Sequence, residues 1–416
     1  MHLQNRFSIQ GFAIWLICVA FFLYEFLLRT VIGTFQAPLM SDIGLNTLQF
    51  SMLSSAVFML IYSFMQIPAG MIVTKFGLKT SLLIGATACA LSTFGFTYIT
   101  TYQAAILYRI LMAFGSSFGF ICLLVGIAQW MPLKRSAMLI GLSQFIGTIG
   151  PMIAGGPMDA ITSEMMLNWR DIFLALAMVG VILTFLIFFI VEDSHKKFVG
   201  YALPTSFKKL RGATLQIFQA SQPWFIAIYS GVIYCALEYL AENEGRTFLM
   251  LKRIGVRDAA YMISYSWLGY AIGCPILGSI SDHIKQRKSV MLLAALIGLG
   301  SVTLLIYSNN YLSLLIGFTG VGIGASGQSI AFATVAEQCE KRYIALGVGV
   351  NNTLIGIIAA INVFLISSAL DAKTSPLEIA DYQDAFGILI ALAALGAITA
   401  GLFIKETHCK FVEKLA

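Results

Sequence analysis

The chain has 416 residues, 58% of them hydrophobic and 11% charged, with a formal net charge of +6. Soluble domains carry about 45–50% and about 25%, so these residues cannot cover a water-facing surface, and a membrane protein is expected. The positive balance then belongs to a membrane surface, and no nucleic-acid partner is implied.

Cutting at charged or turn-rich stretches leaves twelve apolar runs, near residues 12–35, 48–72, 78–100, 103–128, 136–160, 171–192, 223–250, 258–281, 288–308, 310–334, 343–369 and 383–405. Each can cross roughly 30 Å of hydrocarbon as a helix of about 20 residues, and most lack the strict alternation of barrel strands. Run one holds Tyr24, Glu25 and Arg29. It is too long for a cleavable signal core and carries charge, so it is expected to be retained as a span. Glu25 and Arg29 are four apart on one helical face with the acid first, the favourable order for an ion pair. A charge at membrane depth costs about 2.5–3.5 kcal/mol on insertion scales, so the patch is either a self-neutralising pair or a substrate site. Run two brings Tyr62 and ends at Gly70 and Lys75; run four carries Arg109; run five carries Gln144 and Pro151. Residues 193–222 form the longest polar stretch, a linker whose basic residues read as an anchor to anionic headgroups. Run seven spaces Tyr234, Glu238, Glu242 and Arg246 four apart, so one face is polar for three turns, and Gly245 allows a kink there. Arg246 is either a substrate ligand or an outer-rim residue. Run eight adds Tyr270 and ends at Asp282, and run eleven carries Asn352.

The runs repeat with an offset of 208. Gly70 pairs with Gly278, Tyr62 with Tyr270, Lys79 with Arg287, Gly119 with Gly327, Lys134 with Arg342 and Gln144 with Asn352. An all-α membrane protein of twelve transmembrane helices is expected, as two pseudo-symmetric six-helix bundles at residues 1–192 and 223–416, with a central site between them. Eighteen of the 26 Lys and Arg residues fall in loops on the side of the amino terminus and five in the opposite loops, which predicts both termini in the cytoplasm. Lys252, Arg253 and Arg257 run against that trend. The seven cysteines have no ligand spacing, the four histidines lie in termini or loops, and no P-loop occurs. Neither a metal nor a cofactor is expected, and Gly322, Gly324 and Gly327 read as close helix packing.

Local motifs then carry a resemblance. Gly70-Met71-Ile72-Val73-Thr74-Lys75-Phe76-Gly77-Leu78-Lys79 between runs two and three, and Gly278-Ser279-Ile280-Ser281-Asp282-His283 followed by Lys285, Arg287 and Lys288, are similar to the loop signature of the major facilitator superfamily. Thr74 stands where that signature has an acid. Arg109 with Gly115 and Gly119, Gly150-Pro151 in run five and Trp169-Arg170-Asp171 add to the likeness. The resemblance covers all twelve runs and implies a carrier working by alternating access, in which Gly70, Lys75, Arg109, Pro151 and Asp282 serve structure and gating. Arg29 resembles, by position alone, the basic residue that organophosphate antiporters and anion:cation symporters place on their first helix.

The expected function is proton-coupled transport of a small organic anion or amino-acid-like nutrient across a bacterial inner membrane by a monomer. Arg29, Arg246, Tyr24, Gln144, Asn352, Tyr62 and Tyr270 are the candidate substrate ligands, and Glu25, Glu238 and Glu242 the candidate proton carriers, since no histidine lies at depth. Uptake of a carboxylate siderophore and proton-driven export of drugs or metabolites are the alternatives.

Overall fold

The computed structural model describes residues 8–131, 136–193, 215, 217, 219–338, 344–373 and 376–410. Among them helices account for nearly every position and no strand occurs. Among the described residues the helices fall into twelve successive segments, numbered here as spans. Span one is Ile9–Thr34, and the short helix Gln36–Ile43 follows it. Spans two and three are one continuous helical stretch, Thr47–Thr97, broken at Gly77. There φ is +87°, a conformation that only glycine adopts without strain, and the chain reverses. Span four is Tyr102–Trp130, span five is Ser136–Ala154 continued by Gly156–Glu164, and span six is Trp169–Ile190. Span seven is Ser221–Glu242 with a short continuation, Gly245–Leu251; span eight is Val256–Ile284. Spans nine to twelve are Arg287–Tyr307, Tyr311–Gln338, Ile344–Asp371 and Ile379–Phe403.

Both ends of the described chain lie on one face of the bundle, the terminal face. Gln10 at the start of span one bonds Glu192 past the end of span six, and Gln222 at the start of span seven bonds the backbone of Phe403 and Lys405. Each half packs a core of its own, one through spans one to six and the other through spans seven to twelve. Phe185, Phe188, Phe189, Leu296 and Leu402 stand exposed on the outside, which is the face an acyl environment requires. The halves meet where span one runs against span seven, span two against span eleven, and span five against span eight.

Span five bends by 43° between Ala154 and Gly156. Two features meet at the break: Pro157 has no N–H to offer the Ile153 carbonyl, and a hydroxyl is inserted into the hydrogen-bond ladder. Ser264 of span eight donates to the carbonyl of Met152 at 2.7 Å and accepts from the amide of Gly156 at 2.8 Å, the two groups that an unbroken helix would join.

The two loop signatures differ. In the second half Arg287 bonds Asp282 at 2.6 Å and Glu337 at 2.7 Å, while Glu406 accepts the amides of Arg287 and Lys288. In the first half no such charge latch forms among the described residues. Thr74 bonds back to the carbonyl of Gly70, the Lys79 amide donates to Asp193, and the ammonium groups of Lys75 and Lys79 lie over the rings of Phe76 and Phe188. Lys252, one of the three basic residues against the charge trend, is buried: its ammonium caps the end of span nine on the carbonyls of Leu305, Ile306 and Ser308. The linker basics Lys196, Lys197, Lys208, Lys209 and Arg211, and the repeat pair Lys134 and Arg342, lie outside the described residues.

Candidate substrate site

A cavity of about 90 Å³ lies between the halves at mid-depth, lined by Glu25 and Arg29 of span one, Tyr62 of span two, Gln144 of span five, Tyr234 of span seven, Tyr270 of span eight, Gln328 of span ten and Asn352 of span eleven. Phe22, Phe26, Phe120 and Phe332 complete an aromatic wall. Six of the residues expected from the sequence are thus brought together: Glu25, Arg29, Tyr62, Gln144, Tyr270 and Asn352. Four repeat pairs line the space, each 208 residues apart: Phe26 with Tyr234, Tyr62 with Tyr270, Phe120 with Gln328, and Gln144 with Asn352. Phe120, Gln328 and Phe26 were not among the expected ligands, and the repeat offset is the signal that finds them. Tyr270 donates to Gln328 at 3.1 Å, which fixes the orientation of that amide.

Arg29 does not pair with Glu25 as their spacing suggests. Its Nη2 lies 3.1 Å from Glu242 Oε1 on the opposite half, and its guanidinium sits 5.4 Å from the ring centroid of Phe26 and 5.5 Å from that of Tyr234. Glu25 instead leans on Gly119 of span four, where a Cβ would meet its Cγ at 2.8 Å. The Arg29–Glu242 contact is close in distance but poorly aligned. Among the described residues Arg29 Nε and Nη2, and both carboxylate oxygens of Glu242 and Glu238, are buried and make no hydrogen bond.

Arg109, fully buried, stands behind this site. It donates to the carbonyls of Leu28, Arg29, Leu53 and Ser54 and lies 4.3 Å from the centroid of Phe58. Leu53 and Ser54 lie in Met52–Ala56, which winds as a π-helix with its backbone bonding shifted by one residue. Arg109 therefore holds spans one, two and four together and fixes the height of Arg29.

Two expected ligands fall elsewhere. Tyr24 points into the first half and donates to the carbonyl of Leu176 on span six, because adjacent helical positions diverge by about 100°. Arg246 lies past the end of span seven, on the face opposite the termini, bonding the Thr34 carbonyl at 3.0 Å and forming an ion pair with Asp159. It belongs to a seam that closes that distal face. Span seven stops at Glu242, and the break that follows sends Asn243 onto Ser54 and Ser55, while Glu244 accepts from Gln36 at 2.6 Å and from Tyr382 at 2.9 Å. Gln36 and Glu244 are themselves 208 apart. Gly33 permits the approach, since a Cβ there would meet the Glu242 carbonyl oxygen at 2.9 Å. Toward the terminal face the halves touch through Ile67 and Met71 against Leu346 and Val350, and the hydrogen bonds found between halves lie from mid-depth outward to the distal face.

The sequence matches the family model of the Major Facilitator Superfamily over residues 17–361 and 249–410. Human (Homo sapiens) sialin is 24% identical over 375 residues, covering 83% of this chain and 73% of that protein. A probable sulfoacetate transporter, SauU of Cupriavidus necator, is 21% identical over 308 residues, covering 70% of this chain and 69% of its own. Among solved structures, a D-xylose-proton symporter superposes with a TM-score of 0.77 at 14% identity, over 96% of this chain and 99% of the other. Twelve spans in two repeated bundles around a shared polar cavity, together with these matches, make the chain a member of the Major Facilitator Superfamily, a multi-pass membrane transporter of a small molecule.

Proposed function

We propose that the chain is a proton-coupled carrier of a small organic anion or amino-acid-like nutrient, working by alternating access across a bacterial inner membrane with both termini in the cytoplasm. The observation that carries this reading is the contact between Arg29 and Glu242. It joins the cation of the cavity wall to a carboxylate of the other half, with Glu238 one turn away and unpartnered. An incoming anion competes with Glu242 for the guanidinium. A buried carboxylate stripped of its counter-charge takes a proton rather than remain charged, so anion and proton enter together. The amides and tyrosines then orient the rest of the substrate against the aromatic wall, as in most small-molecule sites. The name of one relative, a probable sulfoacetate transporter, supports an anionic cargo.

The test is uptake into proteoliposomes with an imposed pH gradient, screening carboxylates, sulfonates and amino acids. The reading expects one anionic or zwitterionic compound to accumulate with the proton gradient, and Glu242→Gln to abolish accumulation while exchange continues. Accumulation driven by a sodium gradient alone, or proton-driven extrusion only, rejects it.

A further inference from the structure

The distal seam holds a carboxylate that the central site does not use. Glu244 is 2% exposed and sits in the break between span seven and its continuation. Its two oxygens are divided between the halves. Oε1 accepts from Gln36 Nε2 of the first half at 2.6 Å, and Oε2 accepts from the Tyr382 hydroxyl of span twelve at 2.9 Å. Thr247 fixes the direction of the amide, because its hydroxyl donates to Gln36 Oε1 at 3.0 Å and leaves Nε2 for the acid. Both donors to the carboxylate are neutral, and among the described residues no cation pairs with it. The charges of the adjoining segments are committed elsewhere: Arg246 to Asp159, Glu242 to Arg29, Asp42 to Arg170, Asp381 to Lys373, and Lys252 to the carbonyls that end span nine. The other titratable groups facing Glu244 are Tyr239 and Tyr382, both uncharged phenols at neutral pH.

A buried carboxylate served only by neutral donors is costly when ionised, and a proton removes that cost. We propose that Glu244 is a second proton site, filled from the distal side as the seam closes and emptied as it opens. One proton balances the step: it passes from water to Glu244 Oε2, and the carboxyl then donates to the Tyr382 oxygen. A phenol hydroxyl can donate to a carboxylate or accept from a carboxyl, so the site stays bonded in both states. Once the halves part, Gln36 leaves, water reaches the acid, and the ionised form is the stable one. Acid on the distal side therefore holds the seam shut. Gln36 and Glu244 occupy the same place in the two repeats, 208 residues apart. The fold thus sets one amide against one acid, where two acids would repel and two amides would not titrate. The site is independent of the cargo of the central cavity and rests only on the alternating access proposed above.

Ile263 is buried just inside the seam, beside Asn243 and Arg246, so a cysteine in its place reports opening. The purified full-length Ile263→Cys protein is alkylated with a maleimide, and the rate at residue 263 is read by peptide mass spectrometry. It is divided by the rate of an Asn309→Cys reporter, which is exposed in the loop after span nine. One linked proton changes the ratio of closed to open by up to about ten-fold per pH unit, so from about pH 8 to about pH 5 the normalised rate should fall at least about five-fold. Glu244→Gln, which keeps both hydrogen bonds without the charge, should be slow at every pH. Glu244→Ala, which loses them, should be fast at every pH. The fall should persist in Glu242→Gln. A parent rate that ignores pH, a fall that survives in Glu244→Gln, a Glu244→Gln variant as fast as Glu244→Ala, or a fall abolished by Glu242→Gln each overturns the proposal. A residue 263 that stays unreactive even in Glu244→Ala overturns the opening movement, and the site with it.

Discussion

The ion pair of Arg29 and Glu242 separates two roles that a buried charge can play. Two unit charges 3.1 Å apart attract by about 5 kcal/mol at an effective dielectric constant of about 20. Much of that offsets desolvation. Removing one partner leaves the other charge uncompensated, which typically destabilises by about 3–5 kcal/mol, whereas removing both is close to neutral. Arg29→Gln and Glu242→Gln should therefore each lower the thermal midpoint in detergent, with most of the loss recovered in the double variant. Transport should behave differently. If the guanidinium holds the substrate anion, the double variant loses a charge-assisted contact of about 1.5–3 kcal/mol, roughly ten- to a hundred-fold in affinity. It should stay folded and inactive. Normal substrate affinity in the folded double variant refutes the assignment of Arg29, and a Glu242→Gln variant as stable as the parent refutes the buried pair. Arg29→Lys, which keeps charge but loses the planar fork, should fall between the two.

Further expectations follow from other parts of the molecule. Gly33→Val places side-chain atoms where the Glu242 backbone now lies, so the distal seam should stay open, read as faster alkylation of a Met250→Cys reporter by an impermeant maleimide; an unchanged rate would contradict the seam. Lys252→Met should cost about 1–3 kcal/mol of stability, because the carbonyls of Leu305, Ile306 and Ser308 lose their donor; thermal unfolding measures it. Hydrogen bonds from Trp169 and then Arg170 hold the Asp42 carboxyl below its usual range. Stability from that site is thus present above about pH 4 and lost as the pH falls through the lowered value, and Asp42→Asn should flatten the acid limb of the midpoint-against-pH curve. Labels placed at residue 203 and at Cys409 should react only from the cytoplasmic side, and labelling from the other side would reject the orientation.

The twelve spans, their pairing at 208 residues and most of the central cavity are legible in the sequence because hydropathy and repetition are properties of the chain itself. What escapes is direction. Tyr24 sits beside Glu25 in sequence, yet one helical step turns it toward Leu176 on span six. Arg29 has an acid four residues before it but takes its partner from Glu242 on the other half, a choice made by how the bundles face each other. The distal seam is hidden for the same reason, since Asn243, Glu244 and Gln36 are ordinary polar residues until two loops meet. Gln36 and Glu244 did obey the repeat, so the periodicity held more than the charges alone reveal. The altered signature at Thr74 does announce the missing latch of the first half, because a hydroxyl there bonds its own helix instead of a neighbouring cation.

The hydroxyl of Ser264 inside span five has a consequence for how the halves part. Met152 and Gly156 now share their bonding with the opposite half. Should span eight draw away in the alternating access proposed above, those two groups are at the right separation in sequence to bond each other, while Pro157 keeps the neighbouring Ile153 carbonyl without a helical donor. Ser264 in turn satisfies itself on its own helix, as serine commonly does four residues back. Such an exchange would keep two hydrogen bonds on either side of the movement, at a depth where an unpaired polar group is costly. Ser264→Ala should accordingly fold, with the Gly156 amide free to bond the Met152 carbonyl directly.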